Sequence, residues 1–181
     1  MSLRLKRDPL ANPDALIRRV YAYAAYRLGD GPDAEDVTSE VFERAVRYRD
    51  SYDRSKGEPI AWLLGIASRC ANAALAARTA ERPPHDEPVQ TLGFEEDSVR
   101  RLSLMAALAQ LGERDQELIA LRYGADLTAA QIARVVDAKT NAVEVALHRA
   151  LERLRAILES EDEPETEAVR AAAAERSPEA A

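Results

Sequence analysis

The sequence is poor in the residues that build disulfide frameworks, metal sites and catalytic centres. Its 181 residues include one cysteine, Cys70, which excludes an internal disulfide, and only two histidines, His85 and His148. No Cys/His cluster has zinc-ligand spacing, and no arrangement pairs a nucleophile with an oriented base. Gly-rich phosphate loops are also missing. We therefore expect no catalysis, no metal and no other cofactor.

Large aromatic residues and long apolar runs are scarce as well. The chain has two Phe and one Trp, whereas alanine is abundant and glycine rarely interrupts the periodic stretches. This pattern predicts an all-α fold. No apolar run approaches the length of a membrane span, and the first ten residues lack the apolar core of a signal peptide. We expect a cytoplasmic protein without membrane insertion.

The net charge of −7 is distributed unevenly along the chain. Residues 1–80 hold 13 Lys/Arg against 11 Asp/Glu, and residues 101–158 hold 8 against 7. The acidic excess lies in residues 81–100 and 159–181. Screening limits charge effects to about 10 Å at ordinary salt. The two slightly basic segments are therefore compatible with nucleic acid binding.

The same boundaries predict the domain organisation. Two small helical domains, at residues 10–80 and 101–158, flank a proline-rich, acidic linker at residues 81–100. The acidic tail at residues 159–181 has few large apolar side chains to bury. We expect this tail to be disordered.

The second domain contains two apolar-striped helices separated by a short turn, within residues 127–155. Thr128 and Gln131 are spaced as a capping box at the start of the first helix. Asp137 lies in the turn, and Asp tolerates the left-handed backbone that glycine usually supplies there. This pattern is typical of a DNA-binding helix-turn-helix, although similar helix pairs occur in ordinary bundles. The predicted buried positions are Leu127, Ile132, Val135, Val136, Val143, Leu147, Leu151, Leu154 and Leu158.

In the first domain, cations alternate with aromatic residues between the second and third predicted helices. This composition suits unstacked bases and phosphates. Rings at helix ends can equally close a core, and the sequence does not separate the two interpretations. The residues are Arg47, Tyr48, Arg49, Tyr52, Arg54 and Lys56.

Several segments, in this order, resemble a bacterial RNA polymerase sigma factor of the extracytoplasmic function (ECF) group in the sigma-70 family. They are DAEDVTSEVFERA at 33–45, PIAWLLGIASR at 59–69, LAQLGERDQELIALRYGADLTAAQIARVV at 108–136 and NAVEVALHRALERLR at 141–155. The resemblance covers residues 14–158. It implies a region 2-like and a region 4-like helical domain, and a protein that directs promoter recognition and transcription initiation. The partners it implies are core RNA polymerase and promoter DNA, and it allows an anti-sigma factor as a third.

The resemblance implies two groups of functional residues in the first domain. One group would bind polymerase through an acidic stripe beside a hydrophobic anchor, although a solvated acidic face is the alternative. The other would capture unpaired bases of the minus-ten element. Trp62 is expected in the core. The polymerase-binding group is Asp36, Ser39, Glu40 and Phe42, and the minus-ten group is Tyr48, Tyr52, Arg54, Lys56, Arg69 and Asn72.

In the second domain, the resemblance implies that the second helix of the pair contacts the minus-thirty-five element. Glu144 could accept a hydrogen bond from cytosine, or it could cap the helix at Asn141, which is slightly preferred. The candidates for base contacts are Lys139, Thr140, Asn141, Glu144, Val145 and His148, with Arg122 and Arg149 nearer phosphates.

Two alternative functions stay open from the sequence. An autonomous helix-turn-helix regulator would bind duplex DNA by itself, usually as a dimer, whereas a sigma factor would need core polymerase. A sigma-like interaction protein without DNA recognition is the other alternative.

Overall fold

The computed structural model describes residues 8–81 and 96–174, and within these ranges it contains helices and no strand. This confirms the predicted all-α fold. The helices are α1 (Pro13–Leu28), α2 (Pro32–Arg47), α3 (Pro59–Glu81), α4 (Glu96–Gln110), α5 (Glu113–Ile119), α6 (Ala129–Val135) and α7 (Thr140–Ala174), with a 3₁₀ turn at Arg49–Ser51 and a π-helical turn at Ala120–Gly124.

The helix ends of the first domain follow from local sequence signals. Both α1 and α2 have a proline at the start, where the missing N–H costs nothing. Gly29, with φ 94°, ends α1 in a conformation that glycine adopts without strain. Acidic residues in the first turns and arginines in the last turns complement the helix dipoles.

Helix α3 forms the centre of the first domain. From Pro59 to Arg78 it is long and apolar enough to cross a membrane, with a mean hydropathy of 1.4. The expectation that no apolar run approaches the length of a membrane span is therefore wrong. The helix is long enough, and Arg69 is the only charged residue from Pro59 to Ala77. Leu63 and Leu64 are nonetheless fully buried among protein side chains. The apolar face of α3 is thus the face of a core helix.

One hydrophobic core runs through both predicted domains. Its members in α1, α2 and α3 include Val20, Tyr23, Val41 and Leu63, and they lie in one cluster with second-domain residues such as Leu121. A smaller cluster of Ala107, Leu108, Leu111, Ile119, Ala150 and Leu154 joins α4, α5 and α7. The sequence predicts two domains but gives no sign that they pack against each other.

The linker and the tail are only partly described. Residues 82–95, including His85, and residues 175–181 lie outside the described ranges. Helix α4 begins at Glu96, five residues before the predicted domain boundary at 101. The sequence predicts disorder from residue 159, whereas α7 continues to Ala174. Residues 171–174 are all alanine. Because alanine has the highest helix propensity of any residue type, this run favours the continuation of α7.

Candidate nucleic-acid interface

The helix-turn-helix of the second domain has the predicted local geometry. The Gln131 N–H donates to Thr128 Oγ1 at 3.3 Å, and the Thr128 N–H donates to Gln131 Oε1 at 2.9 Å. This reciprocal pair is the predicted capping box of α6. Asp137 has φ 50° in the turn between α6 and α7, so the predicted left-handed aspartate is also confirmed. The capping box thus starts α6, and Asp137 forms the turn that leads into α7.

The predicted recognition face of α7 is open to solvent. An open groove beside it is bordered by Tyr123, Thr128, Glu144 and His148. Tyr123, which is not among the residues predicted from the sequence, is 50% exposed. An exposed aromatic residue alone gives little signal in a sequence, because burial cannot be inferred for it. The exposed candidates on this face are Lys139, Thr140, Asn141, Glu144, Val145, His148 and Arg149.

Arg122 differs from the other candidates because its side chain is held within the domain. Its Nη1 donates to the Leu127 carbonyl oxygen at 2.9 Å, and its guanidinium lies over the Tyr123 ring at 5.9 Å from the centroid. These contacts brace the loop between the π-helical turn and α6. If Arg122 contacts a phosphate, its guanidinium must bind the phosphate and the Leu127 carbonyl oxygen at the same time. The phosphate contact of Arg122 stays a prediction.

Glu144 does not cap α7. The Val143 N–H donates to the Lys139 carbonyl oxygen at 3.1 Å, and the helix begins at Thr140. Lys139 is therefore the N-cap residue, and Glu144 lies in the second turn, beyond the capping position. Within the described ranges its carboxylate makes no hydrogen bond or ion pair. The capping interpretation is wrong because the helix starts too early for it, and the exposed carboxylate faces the groove.

The two tyrosines of the first-domain loop have different environments. The Tyr48 side chain is 56% exposed at the end of α2. Tyr52 is half-buried, its ring lies 5.6 Å from the Trp62 ring at 55°, and its hydroxyl donates to the Gly57 carbonyl oxygen at 2.9 Å. Gly57 has φ 153°, which favours glycine. Tyr52 thus closes the loop, while Tyr48 is available to a ligand.

The exposed cations of this surface follow Tyr48 in the loop, and one lies on α3. Arg49, Arg54, Lys56 and Arg69 are exposed. Asn72 is also exposed, but its Oδ1 accepts a 2.7 Å hydrogen bond from Arg27 Nη2. Trp62 is half-buried and packs against the main core cluster, as the sequence analysis expected.

The predicted polymerase-binding residues lie on α2. Asp36 and Ser39 are exposed. Glu40 is half-buried and pairs with Arg44 at 2.6 Å. Phe42, the expected hydrophobic anchor, is half-buried and packs against the core cluster. Part of its apolar surface is therefore already buried within the first domain. The stripe that faces solvent is therefore acidic and polar.

A buried polar cluster connects the two domains, and no pattern in the sequence indicates it. Arg27 on α1 is 5% exposed, and its Nε lies 3.2 Å from Glu117 Oε2 on α5. The Tyr23 hydroxyl donates to the same carboxylate oxygen at 2.6 Å. Burial, and then the charge of Glu117, raise the pKa of Tyr23 well above its usual value, so the phenol stays a donor. In the sequence Arg27 is only one basic residue in a last helical turn.

Family models match both domains in the expected order. The model described as Sigma-70 region 2 matches residues 14–81, and the model described as Sigma-70, region 4 matches residues 101–154. The ECF RNA polymerase sigma factor BldN of Streptomyces coelicolor is 29% identical over 154 residues, which is 77% of this chain and 56% of BldN. The ECF RNA polymerase sigma factor SigD of Mycobacterium tuberculosis is 33% identical over 151 residues, covering 75% of this chain and 70% of SigD.

Solved structures of low sequence identity share the fold. The sigma factor RpoE in complex with the anti-sigma factor NepR from Bartonella quintana has a TM-score of 0.61 at 18% identity, covering 80% of this chain and 92% of that one. CnrH in complex with the cytosolic domain of CnrY has a TM-score of 0.57 at 20% identity, covering 82% of each chain. These structures show the fold. The 33% identity to SigD, together with the two family models, shows that the chain belongs to the ECF group of RNA polymerase sigma factors in the sigma-70 family.

Proposed function

We propose that this chain is a dissociable subunit of RNA polymerase that directs promoter recognition and transcription initiation. The observation that carries the proposal is the exposure of two nucleic-acid surfaces in the order that the family requires. The first is the loop surface around Tyr48, and the second is the recognition face of α7. The role is one of binding, with polymerase supplying the catalysis, and the site of action is the cytoplasm.

Polymerase binding is assigned to the exposed stripe of α2. Asp36 and Ser39 offer a carboxylate and a hydroxyl without an internal partner among the described residues, and Glu40 adds charge through its pair with Arg44. A partner surface that carries Lys or Arg complements this stripe, because opposite potentials accelerate and orient association. Phe42 contributes mainly by holding α2 against the core.

Capture of the minus-ten element is assigned to Tyr48 and the cations beside it. A base that leaves the duplex can stack on the exposed Tyr48 ring, while Arg54 and Lys56 neutralise nearby phosphates. Arg69 extends this positive surface along α3. Tyr52 acts indirectly, since its contacts with Trp62 and Gly57 hold the loop in shape.

Recognition of the minus-thirty-five element is assigned to the exposed face of α7. Glu144 and His148 carry polar groups that line the groove, and Asn141 is exposed near the start of the same helix. Exposed Arg149 would position the helix through a phosphate contact. The Glu144 carboxylate, which does not cap the helix, can accept from the amino group of cytosine. Tyr123 adds an exposed ring at the border of the same groove.

An anti-sigma factor is proposed as a regulatory partner. The support is that RpoE, which shares the fold of this chain, is in complex with the anti-sigma factor NepR. CnrH, which also shares the fold, is in complex with the cytosolic domain of CnrY. The partner's identity and contact surface are left open by this likeness.

Binding assays with purified core polymerase test the proposal. We expect the protein to associate with core polymerase and to retain duplex promoter DNA in a mobility shift only when core polymerase is present. An autonomous regulator would instead shift duplex DNA alone, as a dimer. A protein that binds polymerase but never promotes DNA retention would be a sigma-like interaction protein, and that result would overturn the proposal.

A further inference from the structure

The side-chain amide of Asn72 is held in one orientation by a buried arginine. Its Oδ1 accepts a 2.7 Å hydrogen bond from Arg27 Nη2. A guanidinium carries only N–H donors, whereas an asparagine amide has an acceptor oxygen at one end and two N–H donors at the other. The end of the amide that faces Arg27 must therefore be the oxygen. The positive charge of the donor strengthens this bond.

Arg27 has little freedom to move away from Asn72. Its side chain is 0% exposed, and the close packing around a buried side chain restricts its rotation. Arg27 lies in the last turn of α1 and Asn72 lies on α3, and both helices contribute to the main core cluster. The hydrogen bond therefore joins two packed helices of the first domain and fixes the amide relative to the core.

The amide nitrogen of Asn72 is the end left open to a ligand. Asn72 is exposed, and its Nδ2 makes no hydrogen bond among the residues that the structure describes. Arg69, three positions earlier on α3, is also exposed. Residues three apart are neighbours on a helix surface, so the Nδ2 donors lie beside the cation that extends the proposed minus-ten surface. The outward-facing groups of both side chains are hydrogen-bond donors.

A group that only donates discriminates among unpaired bases. Thymine and guanine present carbonyl oxygens that accept hydrogen bonds, whereas adenine has no carbonyl oxygen and carries its N7 acceptor beside an amino group. The usual bidentate contact of asparagine with adenine needs the amide oxygen as well as the amide nitrogen. At Asn72 that oxygen is bonded to Arg27. Adenine is therefore a poor match for this site, and thymine or guanine is a good one.

We propose that Asn72 contacts an unpaired base of the minus-ten element through Nδ2 and favours a base with a carbonyl oxygen over adenine. Arg27 is the positioning residue that sets this preference. It does not touch the base, since its side chain is buried. The inference rests on the proposed function, because it needs a single strand at the minus-ten surface.

Transcription by purified core polymerase from a promoter library randomised only in the minus-ten element tests the inference. With the parent protein we expect adenine to be depleted by roughly fivefold or more at one position. Asn72→Asp keeps an oxygen for Arg27 and replaces the donating nitrogen by a second oxygen, which accepts from amino groups. The preference at that position should therefore invert, towards adenine or cytosine. Because Asn72 is exposed, this variant should fold.

Variants of Arg27 separate positioning from stability. Arg27→Met keeps an unbranched side chain and removes the donor, so the amide can turn and adenine depletion should fall by roughly fivefold or more. Arg27→Lys keeps a donor and should preserve the preference. In an Asn72→Ala background, Arg27→Met should leave the base profile unchanged, because no amide remains to be positioned. Arg78→Met is the control and should also leave the profile unchanged, since Arg78 bonds the Leu28 carbonyl oxygen and pairs with Asp33.

Two results would overturn the inference. One is an Asn72→Asp profile that equals the parent profile or loses the preference without inverting it. The other is an Arg27→Met profile that changes equally in the Asn72 and Asn72→Ala backgrounds, which would make Arg27 a structural residue only. If Arg27→Met loses its helical circular dichroism, Asn72→Asp alone decides. Transcription from no template at all would instead overturn the proposed function, so the two failures are distinguishable.

Discussion

Replacement of Tyr48 by alanine tests whether its exposed ring holds an unpaired base. The ring is 56% exposed and makes no side-chain hydrogen bond among the described residues, so Tyr48→Ala should change the free energy of unfolding by no more than about 0.5 kcal/mol. Stacking of one base on an aromatic side chain is worth about 1–3 kcal/mol. We therefore expect open-complex formation on a linear promoter to fall by roughly 5- to 150-fold, at about 1.4 kcal/mol per tenfold.

The neighbouring tyrosine supplies the contrast. Tyr52→Ala removes the contact with Trp62 and the 2.9 Å hydrogen bond to Gly57, which together should cost about 1–3 kcal/mol of stability. Tyr52→Phe keeps the ring and removes only the hydrogen bond, at a cost of about 1 kcal/mol. Both variants act through the shape of the loop, so their effect on DNA should follow their effect on stability.

Permanganate reactivity of unpaired thymines on two templates measures the effect. On a linear promoter the protein must stabilise the melted strand, whereas on a template with a pre-melted bubble the unpairing cost is already met. Tyr48→Ala should therefore lose more activity on the linear template than on the bubble. Tyr52→Ala should lose similar activity on both. Equal losses for Tyr48→Ala on the two templates would refute base capture by this ring.

Three further predictions concern α2, α7 and the turn. Asp36→Lys should weaken binding to core polymerase by about 1–3 kcal/mol in a titration, whereas Glu35→Lys, an equal charge change beside it, should have a smaller effect; equal effects would indicate only a loss of general charge attraction. Glu144→Gln should change base preference at one upstream position by about 1–3 kcal/mol on a randomised promoter library, while Arg149→Ala should weaken all promoters alike and reduce the salt slope by about one; a flat Glu144→Gln profile would remove this residue from base recognition. Asp137→Ala should lower stability by about 1 kcal/mol in thermal unfolding because φ is 50° there, and Asp137→Gly should not; equal melting temperatures for the two variants would contradict the role of the left-handed turn.

Features that depend on a few neighbouring residues were predictable from the sequence. The capping box needs only the spacing of Thr128 and Gln131, and the left-handed turn needs only a tolerant residue at Asp137. Helical periodicity correctly predicted Val143, Leu147 and Leu154 as buried. Leu151 and Leu158 are only half-buried, and the prediction that Val136 is buried is wrong, because it lies beside the turn and is 36% exposed. The interpretation of Glu144 as a cap failed because it required Asn141 to be the N-cap and the helix to start at Ala142, two residues after its observed start at Thr140.

Features that depend on distant surfaces were not predictable. The close packing at Gly124 has no local signature, because the backbone that a Cβ there would meet belongs to Ala22, about 100 positions earlier in the chain. Arg27 and Glu117 are ordinary charged residues in their own helices, and only the packing of α5 against α1 buries them together. The contrast between Tyr48 and Tyr52 likewise depends on the position of Trp62.

Transcription by purified core polymerase on a promoter library is the most direct test of the sigma-factor function. The account predicts transcripts with defined start sites only when this protein is added, and it predicts that selected templates share sequence both upstream and near the start site. Transcripts that are independent of the protein, or a protein that binds duplex DNA alone and leaves core polymerase inactive on every template, would contradict it.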